Sequence, residues 1–114
     1  MAGKTLGDHA NGLPRIEAYR TSTLTLRRLF ETANGATAAT NHVDEVLDFA
    51  HAFDAANDWP DAETAFNLAE RMFRGKLAAE PSNAAWKDKA EDAAKDAAAE
   101  EAKADRAQPP PPLP

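Results

Sequence analysis

The sequence predicts an all-α protein, either a small helical bundle or a helical-hairpin array of three to four helices. Apolar residues recur at alternating three- and four-residue spacing in three separate segments, which is typical of amphipathic helices. Alanine accounts for 27 of 114 residues and favours helix in the C-terminal third. We divide the chain into a disordered N-terminal arm, a helical core domain, a partly solvated Ala-rich charged helix and a polyproline tail, at residues 1–13, 14–80, 81–107 and 108–114.

The first helix is predicted to open near Pro14 and to stop at Asn34-Gly35. A single apolar stripe follows helical spacing, and consists of Ile16, Tyr19, Thr23, Leu26, Phe30 and Ala33. Residues 21–26 are β-branched and partly alternating, so a strand is an alternative for this stretch. We prefer helix because no second strand candidate exists to pair with it.

The next two helices are predicted to form a hairpin. One runs from about Asn41, as a cap, to Ala56, and Asn57-Asp58-Trp59-Pro60 ends it. Asp58 is then expected to cap the third helix, with Pro60 in its first turn. The side chains expected to anchor the core are Phe49, Phe53, Trp59, Phe66, Phe73 and Trp86.

The fourth helix is predicted to begin after Pro81, with Ser82 as its cap, and to consist almost entirely of Ala, Lys, Asp and Glu. Trp86 is its only large apolar residue, so we expect the start to dock through Trp86 and the end to be solvated. The stripe of Ala90, Ala93, Ala94 and Ala97 is expected to bury little area. The chain then ends in a proline run that is typical of polyproline II.

Charge is distributed unevenly along the chain. Residues 1–30 carry a net charge of +3, residues 31–70 carry −9, and residues 71–114 are neutral, for a total of −6. The block from Glu31 to Glu70 contains no Lys or Arg, yet it holds eight of the 22 large apolar residues. It is therefore predicted to be a folded element with an anionic outer face, not an acidic tail. The acidic balance argues against direct nucleic-acid binding.

Composition also limits the location and the chemistry. Cysteine is absent, which excludes disulfides and zinc–thiolate sites. We expect no secretory signal and no membrane span, because the sequence has no apolar segment of the required kind or length. We expect no N-myristoylation, because Ala2 stands where that modification requires glycine. Leu, Ile, Val and Phe total only 17 residues, near the lower limit for an independently folded chain. These features favour a cytoplasmic protein, or a component of a viral particle, that is ordered partly by a partner.

Residues 43–76 resemble a tetratricopeptide repeat, a helix-turn-helix of 34 residues with large apolar, small and aromatic residues at fixed offsets. The first-helix positions match Val46, Phe49, Ala50 and Phe53, and the second-helix positions match Ala62, Phe66 and Ala69. Arg74 stands where the family usually has Pro. The resemblance implies a scaffold that binds peptides or proteins.

Two terminal or short patterns have alternative interpretations. The end of the chain, Pro111-Pro112-Leu113-Pro114, resembles ligands of one class of WW domain, but a solvated spacer is the more common role of such runs.

Asp48 and His51 have the i,i+3 spacing of carboxylate–histidine metal ligands in bundles. Because they lie opposite the apolar stripe and no second copy exists, we favour a solvated face and predict no metal or other cofactor.

We find no basis for catalysis in the sequence. No Gly-rich loop follows a strand, and neither Ser22 nor Ser82 has a histidine and an acid at meaningful spacing. We therefore expect a non-enzymatic protein.

The main functional hypothesis is a protein–protein interaction or assembly module, such as a small component of a virion or another particle. Apolar surface that the core does not cover is expected at Leu24 and Leu29, beside the apolar stripe of the first helix. It is also expected at Leu68, beside the stripe of the third helix. The residues predicted to contact a partner protein are Leu24, Arg27, Arg28, Leu29, Asp44, Asp48 and Asp61. Partner identity and oligomeric state are not readable from the sequence.

The alternative is an anionic blocker that occupies the basic groove of a nucleic-acid-binding protein. Its binding face would comprise Asp44, Glu45, Asp48, Asp54 and Asp61. The same carboxylates would also serve simply to solubilise the hairpin, or to attract the chain's own basic first helix.

Overall fold

The structure is a computed structural model that describes residues 12–32 and 40–107. It contains four α-helices: α1 at Gly12–Thr32, α2 at Val43–Ala55, α3 at Trp59–Ala79 and α4 at Ala84–Ala107. These ranges contain no strand, which confirms the all-α prediction. The predicted Asn34-Gly35 stop, the polyproline tail and nearly all of the N-terminal arm lie outside the described residues.

Residues 21–26, the stretch with a strand alternative, are helical. The hydroxyls of three threonines in α1 donate to carbonyls one turn earlier, including Thr23 Oγ1 to the Tyr19 carbonyl at 2.7 Å. This bonding satisfies the polar atom of Thr23, which is only 4% exposed. Leu26 and Phe30 are buried on the same stripe, so tertiary packing outweighs the strand preference of β-branched residues.

The turn between α2 and α3 has the hydrogen bonds of a Schellman motif. The Asp58 amide donates to the Phe53 carbonyl at 2.8 Å, and the Asn57 amide donates to the Asp54 carbonyl at 3.0 Å. Asn57 has φ = 61°, in the left-handed region that asparagine tolerates. Asp58 holds the N-cap position of α3 as predicted, but its side chain does not cap the helix. The predicted Asn41 cap is also wrong, because His42 precedes α2 and no side chain caps that helix.

The central element of the fold is α3, which packs against the other three helices. Aromatic contacts mark each interface: Arg71 of α3 lies 5.1 Å from the Phe30 ring centre, and His51 lies 5.3 Å from Phe66. Phe73 stacks on Trp86 of α4 at 6.2 Å. The buried residues of α3 are Ala62, Ala65, Phe66, Leu68, Ala69, Met72 and Phe73. Among the predicted anchors, Phe53, Phe66 and Phe73 are buried, and Phe49, Trp59 and Trp86 are half-buried.

Helix α4 docks along much more of its length than the sequence predicted. Trp86 packs against the core as expected, and Ala90, Ala93 and Ala97 are 0%, 2% and 4% exposed. Alanines on α3 face the same core, so small side chains let the helix backbones approach closely and exclude water. The expected solvated end is therefore wrong as far as Glu100, which is 4% exposed. The predicted Ser82 cap is replaced by Asn83, whose Oδ1 accepts from the Ala85 amide at 3.2 Å.

Candidate interaction surface

Helix α1 carries the two large apolar side chains that are exposed among the described residues, as the sequence predicted. Leu24 is 48% exposed and Leu29 is 44% exposed. Five residues turn an α-helix by roughly 140° beyond a full turn, so the two leucines flank the buried stripe from opposite sides. They do not form one patch, and only Leu24 borders a described cavity.

A groove runs between α1 and α3 beside Leu24. We define the α1/α3 groove as the cavity of about 200 Å³ lined by Arg27, Thr64, Asn67, Leu68 and Arg71. Thr64 also lines an adjoining cavity of about 100 Å³, together with Leu24, Phe53 and Asp61. Leu68, which was expected to be surface, is only 2% exposed and belongs to the buried core. The groove thus has an apolar base and a polar, basic margin.

Arg71 is the cation of this groove that has no carboxylate partner. Its guanidinium lies 5.1 Å from the centre of the Phe30 ring, and no ion pair or hydrogen bond holds it among the described residues. Stacking on an aromatic face orients the guanidinium and leaves its N–H donors free. Arg27, by contrast, donates to Glu31 Oε1 at 3.1 Å. Arg28 is exposed and makes no ion pair within the described ranges.

Asp61, a predicted partner contact, is occupied within the chain. Arg20 of α1 donates from Nε to Asp61 and from a terminal nitrogen to Asp58 Oδ2 at 2.8 Å, and it also contacts Glu17. The pKa of Asp61 is raised by burial and by the neighbouring Asp58 carboxylate. Burial alone would raise the pKa of Asp58, but hydrogen bonds with Asp61 and Arg20 lower it overall. This cluster fastens α1 to the start of α3.

The outer face of α2 carries Asp44 and Asp48, one turn apart. Both are exposed, and neither has an ion-pair partner in the part of the chain that the structure describes. Glu45 lies beside them, 3.1 Å from His42 Nδ1. We call Asp44, Glu45 and Asp48 the α2 acidic face. Asp54, predicted to belong to the same anionic surface, is bound instead by Lys103 of α4 at 2.8 Å.

His51 belongs to a different groove, between α2 and α4. This cavity of about 190 Å³ is lined by Leu47, His51, Phe73, Lys89, Asp92, Ala93 and Asp96. The His51 ring meets Phe66 edge-on, an aromatic packing contact. In residues 12–32 and 40–107, no group of three His, Asp or Glu side chains is placed to hold a metal ion.

The structure brings together some of the predicted contact residues and separates others. Arg27 lines the α1/α3 groove and Leu24 lines the adjoining cavity, whereas Leu29, Asp44 and Asp48 line neither. Sequence reasoning missed Arg71 and Asn67, because nothing in the α3 pattern shows that Phe30 lies beneath Arg71. That contact joins residues more than forty positions apart in the chain.

Two further observations bear on the type of protein. No helix in the described ranges is long and apolar enough to cross a membrane. Among the described residues, Leu24 and Leu29 are exposed large apolar side chains, and Arg71, Asp44 and Asp48 are exposed charges without an ion-pair partner. Comparison of the chain with models of known protein families, with curated proteins and with solved structures found no match.

Proposed function

We propose that this chain is a non-catalytic protein–protein interaction or assembly module, for example a small component of a larger particle such as a virion. The observation that carries the proposal is Leu24, which is nearly half exposed and lines a cavity that adjoins, through Thr64, the groove containing Arg71. An exposed leucine next to a positioned guanidinium combines apolar burial with charge-assisted hydrogen bonding, the pairing common in protein interfaces.

The fold supports the same role. Helices α2, α3 and α4 share a core that buries Phe53, Phe66 and Phe73, so the exposed side of α1 is not needed to complete it. The resemblance of residues 43–76 to a tetratricopeptide repeat points in the same direction, since such hairpins serve as binding scaffolds.

Affinity capture with the full chain tests this function. Leu24→Asp places a charge where an apolar contact is proposed, so a specific partner should be lost. Thr25→Asp is the matched control, because Thr25 is an exposed neighbour on α1. Captured proteins are identified by mass spectrometry, and each variant is first checked for native helicity. A chain that captures nothing and remains a monomer, or equal capture by both variants, would overturn the proposal.

A second candidate is the anionic blocker, which the exposed and unpaired Asp44 and Asp48 favour. The face available for it is smaller than the sequence suggested, because Asp54 is paired with Lys103 and Asp61 with Arg20. Under this hypothesis, Asp44→Lys with Asp48→Lys abolishes binding of a basic partner, and native binding weakens steeply with salt. Retention of the partner by that double variant excludes the blocker.

A further inference from the structure

The structure carries two surfaces of opposite charge, and each has charged side chains without an ion-pair partner among the described residues. The α1/α3 groove presents Arg71 without a carboxylate partner, and exposed Arg28 lies one turn from Leu24. The α2 acidic face presents Asp44 and Asp48 without a cation among residues 12–32 and 40–107. A surface guanidinium and a surface carboxylate that both lack partners are complementary elements of a possible contact.

We propose that the α1/α3 groove binds the α2 acidic face of a second copy of this chain. This inference rests on the proposed function and names the partner. Asp44 and Asp48 are four residues apart, so their side chains project from one helix face about 6 Å apart along its axis. Two carboxylates at that spacing are presented to a groove that has Arg27 on one wall and Arg71 on the other.

The groove offers more than charge. Asn67 lines it with an amide that can donate to a carboxylate, whereas the Thr64 hydroxyl already donates to the Pro60 carbonyl at 3.1 Å. Exposed Leu24 adjoins the groove through Thr64. Arg71 is oriented by Phe30 before any partner arrives, so little side-chain entropy is lost when it binds. Arg27 is held by Glu31, which aligns its guanidinium along the helix and leaves its terminal nitrogens free for a second carboxylate.

The contact joins different surfaces of the two copies, so it is heterologous. Each molecule would bind one neighbour through its α2 acidic face and another through its α1/α3 groove, which generates a ring or an open chain of molecules. The net charge of −6 opposes association at long range. At physiological ionic strength the screening length is about 8 Å, so repulsion between distant charges fades while contacts in the groove remain.

Charge-swap complementation followed by sedimentation velocity tests the proposal with the full chain. The groove variant is Arg27→Glu with Arg71→Glu, and the face variant is Asp44→Arg with Asp48→Arg. The native chain should associate between micromolar and millimolar concentration, and high salt should reverse this. Each variant alone should associate about tenfold more weakly or worse, because like charges then meet at the contact.

The equimolar mixture of the two variants decides the matter. The acidic groove of the groove variant can then bind the basic α2 face of the face variant. The native α2 face of the first can also bind the native groove of the second, so association should return. A native chain that stays monomeric, a variant that self-associates as tightly as the native chain, or a mixture that associates no better than either variant alone would each overturn the inference. If a double variant fails to fold, Arg71→Glu and Asp48→Arg repeat the test with single changes.

Failure here is distinguishable from failure of the proposed function. One outcome is a native chain that is monomeric but captures a different protein, which Leu24→Asp then loses. This outcome would exclude the second copy as the partner and would still support the interaction module. If the native chain neither self-associates nor captures a specific protein, both the further inference and the proposed function are wrong.

Discussion

Lys103 Nζ, near the end of α4, lies 2.8 Å from Oδ1 of Asp54, near the end of α2. The same ammonium lies 3.3 Å from Glu100 Oε1 and 5.3 Å from the centre of the Trp59 ring, which begins α3. One cation therefore joins three helices at the end of the Ala-rich helix. This contact explains why α4 stays docked where its sequence offers no large apolar residue.

Glu100 is the unusual member of this cluster, because it is a carboxyl group buried in an alanine stripe. It is 4% exposed, and its Oε2 is a buried side-chain oxygen that accepts no hydrogen bond from the described residues. Burial raises the pKa of Glu100, and hydrogen bonding with Asp54 raises it further. Hydrogen bonding with Glu100, followed by that with Lys103, lowers the pKa of Asp54. The two carboxyl groups therefore differ: the pKa of Glu100 is raised by burial, and that of Asp54, which binds Lys103, is lowered.

We predict that Glu100→Gln stabilises the protein at neutral pH. Because the folded-state pKa of Glu100 is raised, its contribution to stability is complete below the unfolded value of about 4.3 and declines as pH rises through the folded value. Glutamine stays neutral and can still accept from Lys103. The gain should be about 1 kcal/mol, or several degrees in Tm, and the decline in stability between mildly acidic and neutral pH should flatten.

The control for this change is Glu91→Gln, which removes the same charge from an exposed position on α4. Thermal unfolding of both variants is followed across mildly acidic to neutral pH. An equal rise for Glu91→Gln would attribute the effect to net charge and not to the buried carboxyl group.

Local periodicity predicted the helices, because the apolar stripes of α1 to α3 are visible in the sequence and the core buries the same residues, such as Phe53 and Phe66. The docking of α4 was not predictable in this way. Alanine burial depends on how closely α3 approaches, and the Lys103–Asp54 bond spans 49 residues. The candidate surface was predicted at Leu24 and Arg27, but Arg71 became part of it only through its contact with Phe30.

We predict that Ala97→Leu destabilises the fold through overpacking. Ala97 is 4% exposed at an interface built from alanines, so a larger side chain must push α4 away from its neighbours. The cost should be about 1–3 kcal/mol. Ala98→Leu is the matched control, since Ala98 is exposed on the next position of the same helix. Chemical denaturation measures both, and equal stability of the two variants would contradict the tight alanine interface.

We predict that Asn57→Val destabilises the α2–α3 turn while Asn57→Gly does not. Asn57 has φ = 61°, and a β-branched residue is strained in that region by about 1–2 kcal/mol. Glycine adopts it without a clash and keeps the amide that donates to the Asp54 carbonyl. The comparison is made by chemical denaturation. Equal losses for valine and glycine would show that the asparagine side chain, and not the backbone angle, matters here.

We predict that Arg20→Gln loosens α1 from the rest of the fold. Hydrogen bonds to Asp61 and then to Asp58 raise the pKa of Arg20, which therefore remains charged, and its loss leaves two half-buried carboxylates without a cation. Amide hydrogen exchange in α1 should increase more than exchange in α3. Arg28→Gln is the control, because Arg28 is exposed and pairs with no described residue.

The pH dependence of Arg20→Gln separates electrostatics from packing. Because the folded-state pKa of Asp58 is lowered, its contribution is present above the unfolded value of about 3.9 and is lost as pH falls through the folded value. The variant lacks much of this contribution, so its deficit in Tm should be largest at neutral pH and should shrink as the medium becomes strongly acidic. A deficit that stays constant across that range would mean that Arg20 acts mainly through its aliphatic stem, which packs α1 against α3 independently of the two carboxylates.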